Sequence, residues 1–218
     1  MKNTFLIAAV LTALSSCDTG NPVGNDQVNL TQSLANIQTE VTGLPVETLE
    51  PAEKERILFI REEEKLAYDV YQTMFDTYGV KIFQNIPNSE LSHMEAMLTI
   101  IKKYQLVDPM DANPRGVFAD AALQTLYISL VTQGSGSLLA AYQVGAKIEE
   151  LDIHDLNISI AFTNNQDVRL VYDFLNKGSR NHLRSFFKNL SNAGGTYSPV
   201  YITKAEFDAI VTSPTEKM

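Results

Sequence analysis

Four long stretches of this chain carry apolar residues at helical spacing, and on each of them ionisable residues stand in line with the apolar ones. The second reads NSELSHMEAMLTII over residues 88–101, with Glu90 and His93 on the same side as Met94, Met97 and Ile101. That is the side an amphipathic helix turns toward a core. A buried carboxylate or imidazole without a partner is costly in its charged form, so acids on an inward stripe need a shared compensating charge. A metal ion supplies one.

The first segment begins near Pro51, a residue suited to a first helical turn, and runs to about Tyr78, where Gly79 stops it. Its inward stripe is Ile60, Glu64, Ala67, Tyr71 and Phe75. The second runs from Pro87 to about Gln105. After the connection LVDPMDANPRGVFAD comes a short amphipathic helix, Ala121 to Gln133. The third long segment covers roughly Ser137 to Leu151, with Tyr142, Ala146 and Glu149 on one face, and is expected to kink into DIHDLNISIAF. The fourth starts near Asp167, read as an N-cap, and reaches Leu190 through Val171, Tyr172, Leu175, Ser179, His182 and Phe186. The stretch TYSPVYI reads as extended, and Thr203 with Glu206 forms a capping-box pair that opens a last short helix. Helices of about 15 to 28 residues give rods of roughly 22 to 42 Å, enough for an antiparallel bundle. The fold class expected is all-α.

The N-terminus divides off by composition. Residues 1–16 have the layout of a secretory signal, one basic residue and then an apolar run from Phe5 to Leu14 that is too short to span a bilayer. Leu14-Ser15-Ser16-Cys17 resembles a bacterial lipobox, which implies that Cys17 is lipidated and that the chain is anchored by acyl chains in the bacterial cell envelope. Residues 17–48, rich in Asn, Gln, Thr, Gly and Pro, read as a flexible tether with room for a short helix near Leu30 to Val41. Residues 49–212 then form the helical domain. With Cys17, the one cysteine, acylated, neither a disulfide nor a thiolate metal site can form. Without Lys2, 16 of the 17 basic residues face 26 acids, a formal charge of −10. Such a field excludes nucleic acid as a partner and leaves membrane attachment to the anchor.

Glu and His three residues apart share one helix face and reach a common point. A Glu from each of two helices with Glu-x-x-His from two others is the carboxylate-bridged di-metal arrangement of helical bundles. Here Glu64, Glu90, His93, Glu149 and His182 supply most of that set; Ser179 stands where a further Glu would complete it, and Asp152, one turn after Glu149, is the candidate replacement. Carboxylates with two imidazoles and no thiolate suit one or two ions of iron or manganese, with zinc compatible by ligand type alone. In the run Glu62-Glu63-Glu64, the first two read as a solvated face, with Glu63 the alternative ligand. His154 reads as exposed, Met94 and Met97 as core filler, and Tyr71, Tyr142 and Tyr172 as packing residues. Arg180 and Arg184 are expected to pair with Asp69 or Asp173, and Gly178 either permits a close helix approach or breaks the helix.

EKLAYDVY, ELSH and HLRSF resemble the first, second and fourth helices of rubrerythrin-type ferritin-like proteins. REEEKLAYDVY, SELSHMEAM, VGAKIEELDIHDL and GSRNHLRSFFKNL together resemble a bacterial ferritin-like family catalogued as a domain of unknown function, over about residues 52 to 210. The resemblance implies a ferritin-like antiparallel four-helix bundle with a long crossover between its second and third helices, and a metal-dependent oxidase, peroxidase or ferroxidase. Lacking a cysteine-bearing electron-transfer module, such a protein would draw electrons from a separate donor or from the metal it oxidises. A non-catalytic binding or scaffold lipoprotein with a decayed site is the other reading, and a homodimer is left open.

Overall fold

The structure, a computed structural model, describes residues 22–110 and 113–218, with the backbone alone over 22–28. The signal segment and Cys17 lie outside the described residues. Among those described there are seven helices and no strand: α1 (Pro22–Gly43), α2 (Pro51–Tyr78), α3 (Ile82–Lys103), α4 (Ala121–Gly134), α5 (Leu138–Phe162), α6 (Gln166–Asn192) and α7 (Lys204–Thr212). None of them is long and apolar enough to cross a membrane.

Local chemistry sets most boundaries. Pro51 opens α2, where the Glu50 amide donates to the Glu53 carboxylate at 2.9 Å, and Gly79 closes it with a left-handed φ of 63°, its amide bonding Phe75 O at 2.8 Å. α3 starts five residues before Pro87, which sits inside the helix. The proline removes one backbone bond and crowds the carbonyl of Phe83, at a cost of about 3 kcal/mol, while Ile82, Phe83 and Ile86 are all buried by that extra turn. Each buried side chain contributes about 1.5–3 kcal/mol, so the turn forms. α5 does not kink at Leu151. Ile153, Leu156 and Ser159 continue its buried stripe, and the helix runs on to Phe162. At α6 the cap is Asn165, and Asp167 lies inside the first turn, where it accepts from Lys103 Nζ at 2.5 Å and Tyr104 OH at 2.9 Å.

α2 packs on α3, α3 on α6, α6 on α5 and α5 on α2, a closed ring of four long helices. Two apolar clusters fill it. One holds Leu66, Tyr71, Met74, Phe83, Phe186 and Leu190; the other holds Ile57, Ile60, Ile100, Leu156, Val171 and Leu175. Along α2 and α6 the second cluster comes first in the chain, along α3 and α5 the first does, so each helix runs antiparallel to both of its ring neighbours. The segment from α3 to α5 therefore travels the length of the body. Glu64, Glu90, His93 and His182 fall between the clusters along their helices, and Glu149 stands on α5 near the end of the first, between Ile148 and Ile153.

That travelling segment explains the charges of α2. Glu62, expected on a solvated face, is 3% exposed and accepts from the amides of Ala119 at 2.6 Å and Asp120 at 2.9 Å. Arg61 pairs with Asp108 at 2.9 Å and also donates to Met94 O, while Lys65 reaches Asp69 and Pro114 O. Asp69 is thus taken by Lys65 and the Gly116 amide. Arg180 and Arg184 instead bind Glu216, at 2.5 and 3.0 Å. His154 is half-buried, 6.4 Å from the Tyr201 ring.

The stretch expected to be a tether carries α1, which lies on α3 and α6. Its polar composition hides a helical stripe: Val41 is fully buried, with Leu34 and Ile37 packed against the same cluster. The TYSPVYI segment is irregular, without ladder bonds. It is held by the fully buried Glu150, which accepts from Tyr197 OH at 2.5 Å and from the amides of Val200, Tyr201 and Ile202.

Candidate metal centre

α2 contributes Glu64, α3 contributes Glu90 and His93, α5 contributes Glu149 and α6 contributes His182. All five are buried, His182 being the most open at 7%. They form two triplets, Glu64–Glu90–His93 and Glu90–Glu149–His182, in each of which the potential ligand atoms lie within 4.8 Å of one another. Glu90 belongs to both. His93 Nδ1 is 3.0 Å from Glu64 Oε2 and 3.0 Å from Glu90 Oε2; His182 Nδ1 is 2.9 Å from Glu90 Oε1 and 3.3 Å from Glu149 Oε2. The imidazole rings stack at 5.6 Å.

Several of these atoms are unsatisfied. His182 Nδ1, Glu90 Oε1 and Glu149 Oε2 are buried without a hydrogen-bond partner, although they lie close together. Short separations without donor–acceptor alignment mean that the atoms converge on a common point rather than on each other, and a buried polar group left so carries a cost. A cation at the Glu90–Glu149–His182 triplet would satisfy them; in the other triplet His93 Nδ1 shares a hydrogen bond with Glu64 Oε2 at 3.0 Å. The donor set of three carboxylates and two Nδ1 imidazoles fits iron or manganese.

Electrostatics point the same way. Burial, with Glu90 nearby, pushes the Glu64 carboxyl up to about 7 against the pull of His93. Burial alone would lower His93, but Glu64 and Glu90 outweigh it and raise the imidazole to about 9. Burial and Glu90 also raise Glu149. For Glu90, burial is outweighed by His182 and His93, which hold it well below the usual carboxylate range. Without a cation the centre holds protons in its place.

Neighbouring residues shape the centre. Tyr71 OH donates to Glu149 Oε1 at 2.5 Å, so of the three inward tyrosines this one touches a candidate ligand; Tyr142 stacks on Phe83, and the buried Tyr172 hydroxyl has no partner. Burial and the Glu149 charge raise the Tyr71 phenol. Phe174 meets His93 edge-on at 5.7 Å. A Cβ built on Gly178 would overlap His93 Nε2 and Cε1, so Gly178 makes room for the imidazole rather than breaking α6. Glycine at that position was the sequence signal for this cradle, but its target was not legible.

Asp152 is buried and both its oxygens lack partners, yet it belongs to neither triplet. Burial together with Glu63, Glu64, Glu149 and Glu90 raises its carboxyl strongly. Ser179 is also buried, but its hydroxyl donates to Leu175 O at 3.2 Å and takes no part in either triplet. Glu63, 1% exposed and not on a solvated face, is outside them too, its carboxyl raised by burial and by Asp155.

A protein of Methanocaldococcus jannaschii, described as uncharacterized protein MJ0754, is 44% identical over 177 residues, which span 81% of this chain and 96% of the relative. The crystal structure of the hypothetical protein MJ0754 aligns with a TM-score of 0.78 at 44% identity, covering 79% of this chain and 99% of that one. Residues 53–214 match the family described as "Uncharacterized protein domain (DUF2202)". This all-helical chain belongs to the DUF2202 family.

Proposed function

We propose that this chain is a ferritin-like metal protein in which α2, α3, α5 and α6 are the four bundle helices and residues 104–137 the crossover. In this reading Glu64, Glu90, His93, Glu149 and His182 hold one or two iron or manganese ions, and the protein acts as an oxidase, peroxidase or ferroxidase. The observation that carries the reading is the position of Glu90, whose two oxygens face two different imidazoles between buried, unpartnered ligand atoms. When bound, iron or manganese would supply one-electron redox chemistry toward oxygen or peroxide. The chain's own part is to orient and to exclude water. Tyr71 fixes one oxygen of Glu149 and leaves the other toward His182. Two apolar clusters seal the centre from either end. Three ligand carboxylates leave two divalent ions short of neutrality by one charge, and ionised Asp152 would supply it.

Ser179 favours a second reading. With no carboxylate at that position the site is asymmetric, as expected of a non-catalytic lipoprotein retaining a partial centre. Metal analysis of protein purified without chelator, followed by anaerobic titration with Fe(II) and Mn(II), separates the two. Uptake of one to two equivalents that falls in His93→Ala and in His182→Ala, and is lost when both are replaced, supports the metal protein. A folded wild type that takes up neither ion overturns it. Attachment through lipidated Cys17 is likewise proposed, together with a separate electron donor; Cys17→Ser should release the chain from the membrane fraction.

A further inference from the structure

The chain that follows α7 is fastened at a single residue. Phe207 and Ile210 bury α7 against the body, and Arg184 holds Ser213 Oγ at 2.8 Å. None of residues 214–218 is buried, and among the described residues every hydrogen bond of this tail runs through Glu216. Its carboxylate accepts from Arg180 Nε at 2.7 Å, Arg180 Nη2 at 2.5 Å and Arg184 Nη2 at 3.0 Å. Its amide donates to Asn181 Oδ1 at 2.9 Å, and its carbonyl accepts from Asn181 Nδ2 at 3.0 Å. All three partners stand on α6 within one turn of His182.

The fastened tail lies beside both imidazoles of the candidate centre. Residues 215–218 form one wall of a cleft of about 920 Å³ between α1, α3 and α6, and His182 lines the same cleft. The end of the tail reaches the other ring: the space that a Cβ on Gly178 would fill is bordered by His93 Nε2 and Cε1 and, at 3.5 Å, by Met218 Cε. The fastening itself is partly open to water, with the Arg180 side chain 25% and the Glu216 side chain 29% exposed. Ion pairs of that kind are weak and are screened by salt. With no buried side chain to hold it back, the tail depends on them.

We propose that residues 214–218 are a latch on the α6 side of the centre: seated through Glu216 on Arg180, Asn181 and Arg184 it limits access to His182 and His93, and released it opens the cleft to solutes. Its service as a gate to a metal centre rests on the function proposed above. The shielding of the two rings does not, because tail, cleft and imidazoles are parts of the chain whether or not a metal is bound.

The test reads ring exposure in the full chain, metal-free, as NMR line broadening by an uncharged soluble nitroxide. Tyr127 serves as the reference, being half-buried on α4, which packs on α2 and α5 rather than on α6. In Glu216→Lys and in Arg180→Glu, broadening of the His182 ring is expected to rise at least threefold, with a smaller rise at His93 and none at Tyr127. The charge-reversed pair Arg180→Glu/Glu216→Arg should restore the wild-type value, which a merely unfolded variant would not do. The wild type needs no substitution: raising ionic strength from about 0.01 M to about 1 M shortens the screening length from about 30 Å to about 3 Å, and His182 broadening should rise with it. Broadening of His182 that stays unchanged in both single variants and in salt, that rises equally at Tyr127, or that is not restored by the reversed pair overturns the latch. In the metal-loaded chain, Glu216→Lys should release Mn(II) to excess EDTA at least threefold faster. A wild type that takes up no metal removes the gating role, while the nitroxide result still decides the latch.

Discussion

Glu90 sets its two carboxylate oxygens against two different imidazoles, Oε2 at 3.0 Å from His93 Nδ1 and Oε1 at 2.9 Å from His182 Nδ1. No other carboxylate belongs to both triplets.

Glu90→Gln is therefore expected to weaken both halves of the centre. Metal affinity should fall by at least tenfold and stoichiometry toward zero, whereas His93→Ala and His182→Ala should each retain part of the uptake. Anaerobic titration followed by elemental analysis checks this, and equal loss in all three variants would contradict separate triplets.

Gly178→Ala should displace the His93 ring, because the added methyl would occupy the space of Nε2 and Cε1. Overpacking of this kind costs about 1–3 kcal/mol. A lowered melting temperature combined with weaker metal uptake is the expected pair of results; loss of stability alone would leave the cradle without a role at the centre.

The metal-free protein should become less stable as pH rises from about 5 to about 9. Glu64 binds its proton up to about 7 in the folded chain, against about 4.3 for an unperturbed glutamate. Between those values the native state holds more protons than the unfolded one, and stability falls with pH. His93, raised to about 9, contributes stability that is complete below the ordinary imidazole value of about 6.5 and is lost as pH rises through 9. Metal ions compete with the same protons, so metal affinity should rise over this range. Melting curves at several pH values, with and without Mn(II), measure both slopes.

Glu150→Ala serves as a control away from the centre. It strips four donors of their shared acceptor around Tyr197–Ile202, some of which water can reach. A loss of about 2–4 kcal/mol is expected, with faster proteolysis after α6 and unchanged metal stoichiometry.

Much of this was legible in the sequence, for identifiable reasons. α2 was bounded by Pro51 and Gly79 because cap chemistry is local. The inward placement of Glu64, Glu90, His93, Glu149 and His182 was legible because an inward stripe on a regular helix fixes direction. Failures came where distant chain decides burial. Glu62 looks solvated until the crossover amides of Ala119 and Asp120 cover it. A short helix near Leu30 to Val41 was allowed, but its docking was masked by Asn, Gln and Thr around Leu34, Ile37 and Val41, whose packing depends on the surface of α3. The partners of Arg180 and Arg184 could not be read because Glu216 arrives from beyond α7. Asp152 shares the α5 face of Glu149, but a single turn along that helix is enough to take it out of both triplets.

The polar layer between the two greasy halves also acts as a register pin. Sliding any one rod by a single turn, about 5.4 Å, would strand its acid or imidazole among isoleucines and leucines and leave the opposite groups facing hydrocarbon. Oily surfaces alone would tolerate such a slip far better, so the residues that gather at the middle also specify how the rods align.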